Sequence, residues 1–112
     1  MRPSFKIDSV ARLKKLSVGT RLYIVASLLG PNAPSGRIVK QVRSKDIIMK
    51  NDDPNSKNYG KDSYLTFPSG TRVVATENGF QIYEPKATEE DLRMNPGYPG
   101  GELAAEYEFA ED

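Results

Sequence analysis

The 112-residue chain contains no cysteine and no histidine. Together these absences remove disulfide stapling, thiolate nucleophiles, zinc sites of the usual Cys/His kind and every Ser-His-Asp or Cys-His catalytic arrangement. The core has to hold by packing alone. Long apolar runs are missing too. Nothing approaches the roughly 20 residues that a membrane-spanning helix needs, and the opening residues Met1 to Asp8 lack the apolar segment of a signal peptide. A cytoplasmic protein with no membrane partner is therefore expected.

Catalytic constellations are equally scarce. Without His or Cys the remaining routes are Ser-Lys pairs, paired carboxylates or a metal, and none has supporting spacing. Asp52, Asp53 and Asp62 offer oxygen ligands of the kind calcium or magnesium takes, yet Pro54 and Lys57 break any EF-hand spacing and add a competing charge. Gly30, Gly36, Gly60 and Gly70 stand alone, so no loop is built to cradle a phosphate. The expectation is a non-enzyme with no catalytic residue, no metal, no cofactor and no small-molecule substrate.

What the chain does have is a divided charge. Its net +1 is composed of two opposed parts: residues 1–85 carry 14 Lys and Arg against 7 Asp and Glu, a net +7, and residues 86–112 carry 2 against 8, a net −6. Hydrophobic residues make up 38%, enough for one modest core and not two. This composition divides the chain into a domain over 1–85 and a linker with an acidic tail over 86–112.

The clearest local signal is Thr71 to Glu84. Asn78 and Gly79 are the pair that a two-residue type I′ turn prefers, because both central positions need positive φ. Counting outward from that turn pairs Glu77 with Phe80, Thr76 with Gln81, Ala75 with Ile82 and Val74 with Tyr83. Val73, Ala75, Phe80 and Ile82 then share the core face. Upstream, Asp8 is placed to cap a short helix through Ser9 to Leu16, whose Val10, Leu13 and Leu16 would lie against a sheet or plug a barrel end. Strands are expected over Thr20 to Leu28, Arg37 to Ser44, Ile47 to Lys50 and Ser63 to Phe67. Gly30 to Gly36 reads as a flexible loop, and Asn51 to Asp62 as a long exposed one.

Five or so short strands without βαβ alternation predict an all-β fold, a small SH3-like or OB-like barrel with one short N-terminal helix and a flexible acidic C-terminal tail. The runs Val18 to Tyr23, Gly36 to Val42, Ser63 to Pro68 and Asn78 to Tyr83 resemble small uncharacterised proteins of phages and mobile elements with SH3-like barrels. That likeness spans residues 18–84. It implies the fold and carries no site residues.

For function, a +7 body favours a polyanion. By alternation Arg21, Tyr23, Arg37, Gln41 and Arg43 fall on the non-core faces of the first two strands, and Tyr23, Tyr64 or Tyr59 supply rings on which bases stack. The sequence therefore points to a binding module whose basic barrel contacts nucleic acid, single-stranded by preference, through Arg21, Tyr23, Arg37, Gln41, Arg43 and Tyr64, while the acidic tail modulates access. In plan this is similar to single-stranded DNA-binding proteins, with a barrel, a Pro/Gly-rich linker and an acidic, aromatic-containing tail, although here Ala-Glu-Asp follows Phe109. The alternative is a protein-interaction module or inhibitor of phage or mobile-element origin. It would offer Leu103, Tyr107 and Phe109 of the tail, or the 30–36 loop, to a protein partner.

Overall fold

A computed structural model describes residues 3–97 and 100–110. The fold is all-β. Seven strands form one antiparallel sheet: β1 (Arg21–Ser27), β2 (Gly30–Val42), β3 (Asp46–Asn51), β4 (Asp62–Thr66), β5 (Arg72–Ala75), β6 (Gly79–Tyr83) and β7 (Leu103–Phe109). Two short helices accompany them, α1 (Val10–Leu13) and α2 (Glu89–Met94). The spatial order is β4-β3-β2-β1-β7-β6-β5. The two edge strands are joined only by residues 67–71, so the sheet has to curl to bring them within reach, and it does so as a half-barrel.

Its inner face holds the core. Leu22, Val39, Ile47, Met49, Leu65, Val73, Phe80 and Ile82 are all buried there, with Ile7, Leu13 and Leu16 from the N-terminal segment packed on the same cluster. Helix α1 is a single turn, shorter than expected. Ser9 rather than Asp8 caps it, its hydroxyl accepting from the Arg12 N–H at 3.2 Å, while Asp8 pairs with the Arg12 guanidinium at 3.4 Å. A helix this short is held by packing and not by propensity. Leu13 is completely buried, and the Lys14 ammonium lies 5.5 Å from the centre of the Phe67 ring, so the expected apolar stripe does cover the sheet.

The β5–β6 hairpin forms with its inner face as anticipated and its register displaced. Ala75 pairs with Phe80, Val74 with Gln81, Val73 with Ile82 and Arg72 with Tyr83. A shift of two residues keeps every side chain on its face, which is why Val73, Ala75, Phe80 and Ile82 still point inward. The turn is closed by the Thr76 N–H donating to the Gly79 carbonyl at 3.0 Å, and neither Asn78 nor Gly79 has positive φ. Gly79 is needed for another reason: a Cβ there would sit 1.9 Å from the Tyr107 carbonyl oxygen.

Two departures change the architecture. Residues 30–36, expected as a flexible loop, open strand β2; the chain turns at Leu28 and Leu29, and Gly30 takes φ +108°. Within residues 31–34 only Pro31 has a partner on β1, opposite Ala26; residues 32–34 fall in the irregularity between Ala26 and Ile24, and pairing with β3 begins at Arg37. Two of those four residues are Pro31 and Pro34. The second departure is the acidic segment. Leu103–Phe109 is neither a tail nor at the margin, but the strand between β1 and β6. Leu22 pairs with Phe109 and Ile24 with Tyr107 on one side, while Phe80 pairs with Tyr107 and Ile82 with Ala105 on the other. Residues 86–112 thus supply the strand that joins β1–β4 to β5–β6, and the sheet counts seven strands where about five were expected. The final Glu111 and Asp112, and Tyr98 and Pro99 of the Pro/Gly-rich stretch, lie outside the described residues.

Candidate nucleic-acid interface

Residues directly opposite one another in an antiparallel pair share a face, so the ladders fix what the outer surface carries. One row runs Arg21, Ile38, Lys50 and Asp62 across β1 to β4. A second aligns Gln41, Ile48 and Tyr64. Tyr23 stands opposite Gly36 on one side and Glu108 on the other. Five of the six residues singled out for nucleic acid, Arg21, Tyr23, Gln41, Arg43 and Tyr64, come together on this outer face. Tyr64 is 58% exposed and Tyr23 43%, high values for rings on a sheet.

Arg37 does not join them. It stands opposite Leu22 and Asn51, on the inner face. There its guanidinium donates to the Ser35 hydroxyl at 2.8 Å and the Gly36 carbonyl at 2.9 Å, and the Ser35 hydroxyl in turn donates to Asp53 at 3.0 Å. The cause is a β-bulge between Val39 and Gln41. One inserted residue, Lys40, reverses the alternation, so Arg37 and Val39 face inward while Gln41 and Arg43 face out. Strict alternation along 37–43 could not place both ends of the strand correctly.

Three of the cations on this side of the sheet are paired. Arg21 meets Asp52 at 3.0 Å, Lys40 meets Asp62 at 3.0 Å, and Arg43 makes a two-pronged pair with Asp46 at 2.5 Å for each prong. The Arg43 hydrogen bonds hold the Asp46 carboxyl below its ordinary range, and Asp46 in return raises Arg43. The same guanidinium stands 5.8 Å from the centre of the Tyr64 ring. Lys45, Lys50 and Lys61 make no ion pair among the described residues. Exposed pairs of this kind contribute about 0–1 kcal/mol each, so exchanging a carboxylate for a phosphate is inexpensive. Beside the pairs, a cleft of about 270 Å³ is lined by Arg21, Tyr23, Pro34 and Asp52 and also by Arg37, which meets two of the outer-face residues there.

β7 gives this surface its boundary. Glu106 and Glu108 alternate with inward Ala105, Tyr107 and Phe109, so both carboxylates face outward next to β1. Glu106 accepts from the Gln81 amide at 2.8 Å. The opposed charges read from the sequence thus become a gradient across a single face, basic on β2–β4 and acidic on β7.

The three residues expected to engage a partner lie elsewhere. The Tyr107 and Phe80 rings stack with centroids 5.3 Å apart, Phe109 lies 6.0 Å from Phe80, and Tyr107 is only 6% exposed. Burial pushes the Tyr107 hydroxyl up to about 12, outweighing the opposing pull of the Arg37 charge. Leu103 is half-buried opposite Tyr83. Tyr107 and Phe109 thus pack into the core of the sheet, and Leu103 and Phe109 keep part of their surface exposed. Among the acidic residues considered for a metal, Asp52 and Asp62 are ion-paired and Asp53 accepts from Ser35 and from the Asn55 N–H; the described residues contain no group of three or more ligands that could hold an ion.

Sequence reasoning missed Lys40, Lys50, Glu106 and Glu108 as neighbours of the face. The signal for the glutamates was present: Leu103 to Phe109 alternates apolar with small or acidic residues at the period of a half-buried strand. The lysines became visible only through the register. What fold and surface define together is a small antiparallel half-barrel with a ring-bearing, cation-rich outer face. Comparison with protein-family models, curated proteins and solved structures finds no match to this chain. No helix among the described residues is long and apolar enough to cross a membrane.

Proposed function

We propose that the protein is a non-enzymatic binding module whose outer face on β1–β4 holds single-stranded nucleic acid. In this reading the half-barrel is an SH3-like or OB-like barrel left open between β4 and β5. The observation that carries the proposal is the gathering of Tyr23 and Tyr64, both substantially exposed, with Arg21, Gln41 and Arg43 on one face. Bases stack on the rings at about 1–3 kcal/mol each, and the arginines and Lys50 follow the backbone. The acidic segment acts as a fixed border: Glu108, beside Tyr23, repels a strand that strays past β1.

Fluorescence anisotropy with a labelled oligo(dT) or oligo(U) in low salt tests this. Binding should saturate, weaken steadily as salt rises, and lose about tenfold or more in Tyr64→Ala and in Tyr23→Ala. Glu108→Gln should strengthen it. The absence of saturable binding in low salt, or binding indifferent to both rings, would overturn the reading.

A protein-interaction role has one observation of its own. Leu28 and Leu29, at the tip of the β1–β2 hairpin beside the 30–36 segment, are exposed, Leu29 to 98%. A partner protein retained after nuclease treatment and lost on Leu29→Ser would favour that reading.

A further inference from the structure

Strands β6 and β7 are antiparallel neighbours, and their ladder continues past Tyr83 and Leu103. The Glu84 N–H donates to the Glu102 carbonyl at 2.9 Å, the Gly101 N–H to the Pro85 carbonyl at 3.2 Å, and Lys86 bridges Gly100. At that point a two-residue turn would suffice to connect them. The chain instead makes an excursion over residues 87–99. Connections between hairpin-paired strands are ordinarily about 2–5 residues, so one this long calls for a reason.

This one holds α2. Its start is fully specified: the Thr88 hydroxyl accepts from the Asp91 N–H at 3.2 Å, and the Asp91 carboxylate accepts from the Thr88 N–H at 3.0 Å. Those bonds hold the Asp91 carboxyl below its usual range. Yet α2 buries no side chain, so it adds nothing to the core. Leu92 is exposed and Met94 is 84% exposed. Between the helix and the strand ends lies a cleft of about 420 Å³ whose apolar walls, Pro85, Ala87 and Met94, are interleaved with Glu84, Lys86, Asp91 and Asn95. Glu89 and Glu90 stand exposed in the first turn of α2. They make no ion pair among the described residues.

We propose that the excursion is a docking surface for a basic peptide segment of a partner protein, with an apolar side chain entering the cleft against Met94 and flanking Lys or Arg residues meeting Glu89 and Glu90. Charge complementarity selects that occupant: Glu84 and Asp91 in the walls, with Glu89 and Glu90 on the adjoining turn, outnumber the one lining cation, Lys86, and disfavour acidic peptides and nucleic acid alike. The site lies apart from the β1–β4 face and does not depend on nucleic-acid binding.

The test is selection from a displayed library of random short peptides against the full chain, with counter-selection on a variant in which residues 87–99 are replaced by Asn-Gly. Enriched peptides should combine Lys or Arg with a bulky apolar residue. Their affinity should fall about tenfold or more in Glu89→Lys/Glu90→Lys, and likewise in Met94→Asp. Both point variants alter exposed residues only, so their folding does not depend on that of the excised form. Failure to enrich peptides over the counter-selection, enrichment without basic residues, or affinity that survives both variants would overturn the proposal.

Discussion

Replacing Tyr107 by Ala separates a strand at the centre of the sheet from an acidic tail that happens to carry aromatics. The ring is 6% exposed and stacks on Phe80 at 5.3 Å. Truncating a buried aromatic of this size costs about 3–5 kcal/mol, through lost transfer energy and the cavity left behind. Loss of the ring pair adds about 0.5–1.5 kcal/mol. A total near 5 kcal/mol is a large part of the roughly 5–15 kcal/mol by which domains are stable. With a urea m-value of about 2 kcal/mol/M the unfolding midpoint would fall by about 2.5 M. Equilibrium urea denaturation followed by circular dichroism measures it, with Glu108→Ala as a control one residue away on the outer face. That control should change stability by less than about 0.5 kcal/mol. If Tyr107→Ala shifted the midpoint no more than Glu108→Ala, β7 could not be the strand that unites the two halves of the sheet.

Three further outcomes follow from the same region. The Thr76 hydroxyl is buried with no hydrogen-bond partner among the described residues, so Thr76→Val, which keeps the shape and removes the unpaired group, should raise stability by about 1 kcal/mol in the same assay. Gly79→Ala brings a methyl against the Tyr107 carbonyl and should cost more than about 3 kcal/mol, with loss of the native amide spectrum if the β6–β7 ladder cannot part. The Tyr107 hydroxyl, pushed up to about 12 from 10.0, keeps its proton in the folded state after it would have lost it in the unfolded one. Its contribution is therefore full below pH 10 and declines as pH rises toward 12, by roughly 3 kcal/mol in all. Alkaline unfolding should set in above pH 10, with one tyrosinate signal delayed until the fold opens, and Tyr107→Phe should remove both effects.

The parts of this fold that could be read in advance were those set by side-chain period. Val73, Ala75, Phe80 and Ile82 were legible as one face because a register error of two residues leaves faces unchanged. The stripe of Leu13 and Leu16 was legible for the same reason. Features set by a single inserted residue were not. Nothing in Val39-Lys40-Gln41 marks a bulge, and without it Arg37 is assigned to the wrong face. β7 was concealed by a different effect, because its glutamates raise the acidity of a region already rich in Pro and Gly, and composition averaged over 86–112 hides an alternation seven residues long. Of the candidate surface, the residue types were visible in the chain, while their company was decided by ladders between residues distant in sequence.

The prolines of β2 bear on a different property, the behaviour of many copies together. Over residues 31–34 the far side of β2 has no neighbouring strand, and an open edge of that kind is a template on which another chain can add and fibres can grow. Pro31 and Pro34 have no N–H to offer, so that stretch cannot supply an unbroken row of donors. Restoring both donors with Pro31→Val and Pro34→Val would leave the core untouched and give concentrated solutions a seed for intermolecular sheet, visible as concentration-dependent thioflavin fluorescence. The same two residues that made the segment look like a loop are what break the row of donors along its open side.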